Sequence, residues 1–262
     1  MSIAITPIRF AENGFTHRPF ALGGEGVERI SSPVKYGTAA ESPPPERRQT
    51  RPEEIANALT HGVGALLATA CFVVALMLCV FRHDVWGVVS VAVYGATMVA
   101  LFFFSTLYHA FRSPRVKDRL NYFDRASIFL LIAGSYTPYC LVGIRPYSAG
   151  WAWGIFGAEW LLAILGIAFG GWLANRRPGL ANLLYLAMGW VVVVAAYPIW
   201  MALGFWPLFW ICLGGLAYTA GIFFYLRKDR KWMHVVWHVF VLLGTLAQFF
   251  TILFYLVLRP AT

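Results

Sequence analysis

The sequence predicts an all-α fold, a polytopic membrane protein built as a seven-transmembrane-helix bundle. Three observations carry that reading. The 262 residues are 59% hydrophobic and 17% aromatic, and only 13% are charged. A soluble domain of this size needs far more polar surface. The mean hydropathy is +0.64, and runs of about twenty apolar residues recur, each long enough to cross a bilayer as a helix.

Taken in order, the chain opens on a polar segment unlike the rest. Residues 1–50 carry Gly-Gly-Glu-Gly at 23–26 and Pro43-Pro44-Pro45, and read as a disordered cytoplasmic tail. They show no basic start followed by an apolar core, so they do not read as a cleaved secretory signal. Residues 51–262 form the membrane domain. Pro52 and the acids after it suit a helix start. Glu54, Asn57 and His61 then share one polar face, either of a short surface helix or of the first turns of the first span. The expected spans run from Gly62 to Phe81, Val85 to His109, Asp124 to Gly143, Trp151 to Trp172, Leu180 to Met201, Gly204 to Leu226 and His234 to Leu258. In the fourth, Gly166 and Gly170 allow close helix packing within the bundle. Cys71, Cys79, Cys140 and Cys212 fall inside apolar runs without metal-ligand spacing and read as small buried hydrophobes.

The formal net charge of +9 does not point to nucleic acid. Basic residues collect in alternate connecting segments: Arg47, Arg48 and Arg51; Arg112, Arg115, Lys117 and Arg119; Arg176 and Arg177; Arg227, Lys228, Arg230 and Lys231. The other connections hold Arg82 and Arg145, with Arg259 at the far end. By the positive-inside rule the N-terminus is cytoplasmic and the C-terminus outside. Tyr147, Trp151, Trp153 and Trp206 then fall at the outer interface as an aromatic belt.

That topology gathers polar groups at one depth. His109 closes the second span, Asp124 opens the third, His234 and His238 open the seventh, and His61 opens the first, all on the inner side. His83 lies in an outer loop and His17 in the tail, so neither joins them. Ionisable groups at membrane depth are expensive, and each needs a partner or a task. His61 reads first as an interfacial ring bonded to a backbone carbonyl, and stands as a secondary candidate for the site. His234 and His238 lie one turn apart on a single helix face, and with His109 they suit a three-histidine metal site. Three neutral imidazoles and an open position suit Zn2+, which lowers the pKa of a bound water to about 7. Ser105 sits one turn from His109 on the same face. It either bonds its own i−4 carbonyl or donates to a bound water or substrate oxygen. Asp124 caps its helix, pairs with Arg125, or holds the water and accepts its proton. Glu159 and Gln248 also lie at membrane depth, and an ion-path reading leans on them.

On these residues the chain resembles the progestin and adipoQ receptor family, in its bacterial hemolysin III-type branch. The matching features are Glu53-Glu54-x-x-Asn57-x-x-Thr60-His61-Gly62, Ser105-x-x-x-His109, Asp124, Gly134-Ser135-Tyr136-Thr137-Pro138 and His234-x-x-x-His238. The resemblance covers Arg51 to the C-terminus. It implies a seven-helix bundle with an intramembrane zinc site near the cytoplasmic face, in a superfamily that includes alkaline ceramidases. It further implies that His109, His234 and His238 are the ligands, that Asp124 and Ser105 act on the water or the substrate, and that the protein serves membrane-lipid homeostasis. Family membership alone does not settle activity. A secreted pore-former is soluble before insertion, and this chain is too apolar for that.

The expected function is therefore hydrolysis of a lipid amide or ester bond in a bacterial inner membrane, with membrane lipids as partners and no nucleic acid. The rivals are a receptor-like membrane-state sensor holding a structural zinc, and an ion channel or transporter. No motif speaks to substrate identity or oligomeric state.

Overall fold

The computed structural model describes residues 47, 49–176, 178–227 and 229–259. The N-terminal tail with His17 lies outside the described residues, as do Arg48, Arg177 and Lys228.

Helix α1 (Arg51–Phe81) starts on Thr50, with proline in its first turn. The Glu53 carboxylate folds back to accept from the Thr50 N–H at 2.9 Å and from the Thr50 hydroxyl at 2.7 Å. That capping box starts the helix well before Gly62. Glu54, Asn57 and His61 thus belong to the first turns of the first span, not to a separate surface helix. Its 31 residues reach roughly 46 Å at ~1.5 Å per residue, more than a hydrocarbon core of about 30 Å. The surplus turns stand at the basic end of the bundle. Their polar face is turned inward: Glu53, Asn57 and His61 are each at most 3% exposed.

Helix α2 (Val85–Ala110) begins on Asp84, whose carboxylate accepts from the Gly87 N–H at 2.9 Å. Helix α3 (Pro114–Pro138) starts at Ser113-Pro114, ahead of the expected Asp124. Proline at the first helical position has φ preset and lacks an N–H that would go unbonded there. The polar, basic sequence of these first turns hides them from a hydropathy reading. Asp124 consequently stands well inside the helix, which rules out the capping role. After Pro138, α3 continues as π-helical turns over Tyr139–Ile144, where Arg145 N–H reaches back to the Cys140 carbonyl at 2.9 Å.

Helix α4 (Ala149–Arg176) lies against α3. A Cβ at Gly166 would overlap the Phe129 ring, so that glycine serves close packing within the bundle, whereas one at Gly170 would sit at an ordinary contact distance of 3.5 Å. The fifth span is broken into α5 (Pro178–Gly189) and α6 (Val192–Leu203). The Tyr136 hydroxyl of α3 repairs the break: it donates to the Gly189 carbonyl at 3.0 Å and accepts from the Val192 N–H at 2.7 Å. Such backbone groups cannot stay unpaired away from water. Helix α7 (Phe205–Tyr225) follows Gly204, whose φ of +84° is natural only to glycine. Helix α8 (Met233–Ile252) ends in a π-helical turn over Leu253–Val257.

Helices adjacent in sequence pack side by side, and α1 meets α8, closing the ring. The α3 span is the most enclosed. Seven spans among the described residues are long and apolar enough to cross a membrane, and no strand is present among them. Leu66, Phe81, Val193 and Phe254 point outward. In water they would form far too large an apolar patch; in a bilayer they face lipid. The four cysteines are free thiols, with Cys79 and Cys140 buried.

Candidate metal centre

The candidate site is built where α1 and α3 begin, α2 ends and α8 begins. Antiparallel connectivity brings these four ends together. His109 comes from the last turn of α2 and is 4% exposed; His238, in the second turn of α8, is 2% exposed, and His234 one turn earlier is half-buried. Their ring centroids are 5.1 Å (His109–His234), 5.0 Å (His109–His238) and 4.7 Å (His234–His238) apart, with mutual tilts of 56°, 70° and 59°. One ligand nitrogen from each lies within 4.8 Å of the other two. Nitrogens bound at 2.0–2.1 Å around a tetrahedral centre stand about 3.4 Å apart.

Hydrogen bonds on the far side of the rings aim them. Glu54 of α1 faces His109 Nδ1 at 2.7 Å with one oxygen and Lys117 Nζ of α3 at 2.5 Å with the other. A carboxylate can only accept, so Nδ1 carries the hydrogen, and in the neutral ring the lone pair falls on Nε2. That Nε2 is buried and has no hydrogen-bond partner. His238 lies beside the Asn57 carbonyl, and its Nδ1 stands 3.3 Å from Thr60 Oγ1. The Thr60 hydroxyl already donates to the carbonyls of Ala56 and Asn57, both at 2.9 Å. The ring is therefore the donor, which again leaves Nε2 as the ligand atom. A neutral, oriented, buried imidazole with a bonded rear nitrogen is what a metal-ligating histidine presents. The donor set fits Zn2+.

The α8 histidines are placed from both sides. Glu53 accepts from the Trp232 N–H at 2.8 Å while holding Arg47 through contacts of 3.0 and 2.6 Å. That fixes the turn ahead of His234, in which Trp232 has a φ of +68°. On the other side Gly221 of α7 leaves room for Trp237, the residue before His238; a Cβ there would come within 2.8 Å of that ring.

Ser105 is 2% exposed, one turn above His109, and its hydroxyl lies near the half-buried Asp124 of α3. Asp124 lies close enough to His109 and to Arg125 for charge interaction with both. His61 is 3% exposed, not interfacial, and stacks on His238 with centroids 3.6 Å apart. It stands outside the three-nitrogen cluster. His83 is exposed at the opposite end of the bundle. Glu54, Lys117 and Asn57 are the members that sequence reasoning left without a role. For Glu54 and Asn57 the signal was the polar face they share with His61.

An apolar cavity of about 100 Å3 begins one turn deeper. Leu101, Ile128 and Val241 line it, each three or four residues beyond Ser105, Asp124 and His238 respectively. Gln248 also lines it, but both ends of its amide are engaged: Oε1 accepts from the Tyr139 hydroxyl at 2.8 Å, and Nε2 donates to the Ile211 carbonyl at 3.0 Å. Glu159 is fully buried elsewhere, between helices, with neither oxygen hydrogen-bonded.

Fold and site define a class, the multi-pass integral membrane proteins with a buried histidine cluster at one end of a seven-helix bundle. A family model described as haemolysin-III related matches residues 49–249. The chain is 38% identical over 211 residues to the Hemolysin-3 homolog of Bacillus subtilis, covering 79% of this chain and 96% of that protein. It is 37% identical to Hemolysin-3 of Bacillus cereus over 203 residues, covering 78% and 91%. The human Monocyte to macrophage differentiation factor is 27% identical over 216 residues, covering 79% and 86%. The chain belongs to the haemolysin-III related family, of the progestin and adipoQ receptor type.

Proposed function

We propose that the protein is a zinc-dependent hydrolase of a lipid amide or ester bond, acting in a bacterial cell membrane with its histidine centre at the cytoplasmic face. The observation that carries this is the Ser105–Asp124 pair beside three clustered histidines, one turn above the lining of an apolar cavity. His109, His234 and His238 hold the metal. When bound, zinc polarises a carbonyl and lowers the pKa of a bound water to about 7. Asp124, oriented by the Ser105 hydroxyl, accepts the proton of the nucleophilic water and returns it to the leaving group. The cavity takes an apolar chain and leaves the polar linkage at the histidines. Basic connections at this end face anionic headgroups, which makes lipid, and not nucleic acid, the partner.

Metal analysis of the purified protein is the first test. Zinc near one per chain is expected, falling in His234→Ala; no zinc, or zinc indifferent to that change, refutes the site. Comparing membrane lipids of cells carrying wild type or Asp124→Ala then tests turnover, with a changed acyl-lipid class expected.

One observation favours a second reading, a membrane-state sensor with a structural metal. The ligands come from α2 and α8, both of which pack on α1, so a metal ties the helix ends together. That reading expects Asp124→Ala to leave function intact while loss of a histidine unfolds the bundle.

A further inference from the structure

Glu54 is engaged at both oxygens and touches neither cavity nor ligand nitrogen. One oxygen meets His109 Nδ1 at 2.7 Å, the other Lys117 Nζ at 2.5 Å. Its neighbour Glu53 is spent on the chain itself, on Arg47, Thr50 and the Trp232 N–H. Two adjacent carboxylates on one helical turn thus serve different purposes. Lys117, from the first turn of α3, keeps the Glu54 carboxylate pointed at His109 and unavailable as a donor. The imidazole is left with one tautomer and one ring orientation. Its Nε2 is directed into the cluster, where it is buried and without a hydrogen-bond partner.

We propose that Glu54 is the positioning residue of the metal centre, with Lys117 as its counter-ion. This rests on the zinc-site reading above. Glu54 fixes which nitrogen of His109 carries the lone pair and where it points, and so sets metal affinity without touching metal or substrate. Carboxylates behind ligating histidines typically contribute 10- to 100-fold in affinity.

The test uses the purified full chain in detergent, with zinc affinity read by competition against a chromogenic chelator and geometry read from the visible spectrum of the cobalt(II) form. Glu54→Ala should weaken zinc binding roughly 10- to 100-fold and shift the cobalt bands. Glu54→Gln, which keeps an acceptor for Nδ1–H, should stay within about fivefold of wild type, a rescue that a general packing role does not give. Lys117→Met should fall between the two. If Glu54→Ala does not fold, Glu54→Asp replaces it, since its carboxylate stops one methylene short; the same loss is expected. Wild-type affinity and an unchanged cobalt spectrum in the Ala or Asp variant overturn the proposal, as does a Gln variant as impaired as Ala. Wild-type protein that binds neither metal, or binds both equally well in His234→Ala, refutes the metal centre itself, and this proposal with it.

Discussion

His61 and His238 are both buried and lie face to face at 3.6 Å, with an interplanar angle of 13°. The geometry assigns them different tasks, and parallel substitutions separate the two. On the proposed metal centre, His238→Ala removes one of three ligand nitrogens. Structural zinc sites with four ligands bind with roughly 10–16 kcal/mol, or about 2.5–4 kcal/mol per ligand. At about 1.4 kcal/mol per factor of ten, losing His238 should weaken zinc binding roughly 60- to 700-fold. His61→Ala removes only the ring stacked on that ligand. Aromatic pairs are worth about 0.5–1.5 kcal/mol, hence a loss of roughly 2- to 12-fold. Chelator competition on detergent-solubilised protein reads both numbers, and a thermal melt of the metal-free variants confirms that each is folded. A His61→Ala loss equal to or greater than that of His238→Ala refutes the ligand assignment, because the stacked ring would then be the one that binds.

Three further outcomes follow from the packing. Tyr136→Phe strips the hydroxyl that bonds both Gly189 and Val192 across the break in the fifth span. Intramembrane side-chain bonds average about 0.6 kcal/mol each and reach about 1.7, so a loss of roughly 1–3 kcal/mol is expected, read as a lower denaturation midpoint in detergent; no change refutes the bridging role. Gly221→Ala forces the Trp237 ring and Phe240 Cβ away from a new methyl 2.8 Å from each, and should cost about 1–3 kcal/mol of stability and weaken zinc binding by displacing His238; unaltered affinity refutes that coupling. Glu159→Leu removes a buried carboxyl with no partner and should raise the melting temperature, since an unsatisfied buried polar group costs about 1–3 kcal/mol, with zinc affinity unchanged. A fall in stability, or loss of ion flux in vesicles, moves the weight to the transporter reading.

Much of this site is legible in the sequence alone. The pair His234 and His238 is visible from a four-residue period, and His109 and Asp124 follow from counting spans, because alternation puts the end of one helix beside the beginning of the next. The helix starts are less visible. Hydropathy sees only what the bilayer solvates, and the opening turns of α1 and α3 are polar. Their apolar runs begin near Gly62 and Asp124, while the helices begin at Arg51 and Pro114. The break at Gly189–Val191 is hidden for the opposite reason, since the whole stretch is apolar and the group that repairs it, Tyr136, lies 53 to 56 residues away. Glu54 meets His109 across 55 residues. No local pattern encodes that pairing, although the inward face of Glu54, Asn57 and His61 marks the residues that need partners.

That face explains why a helix contributing no ligand carries so dense a motif. Positions 53, 54, 57, 60 and 61 follow helical spacing, and each is used differently. Glu53 holds the turn before His234, Glu54 holds His109, the Asn57 carbonyl and the Thr60 hydroxyl meet His238, and His61 stacks upon it. The His109 and His238 imidazoles are oriented by one rigid surface, and that surface is a single helical element, the best scaffold for holding separate groups to within about half an ångström. The three histidines of the proposed centre stand at the ends of α2 and α8, where helices fray most easily. Precision is thus lent to two weak positions by a strong one, and a substitution on the α1 face should change metal affinity before it changes any step at a metal already bound.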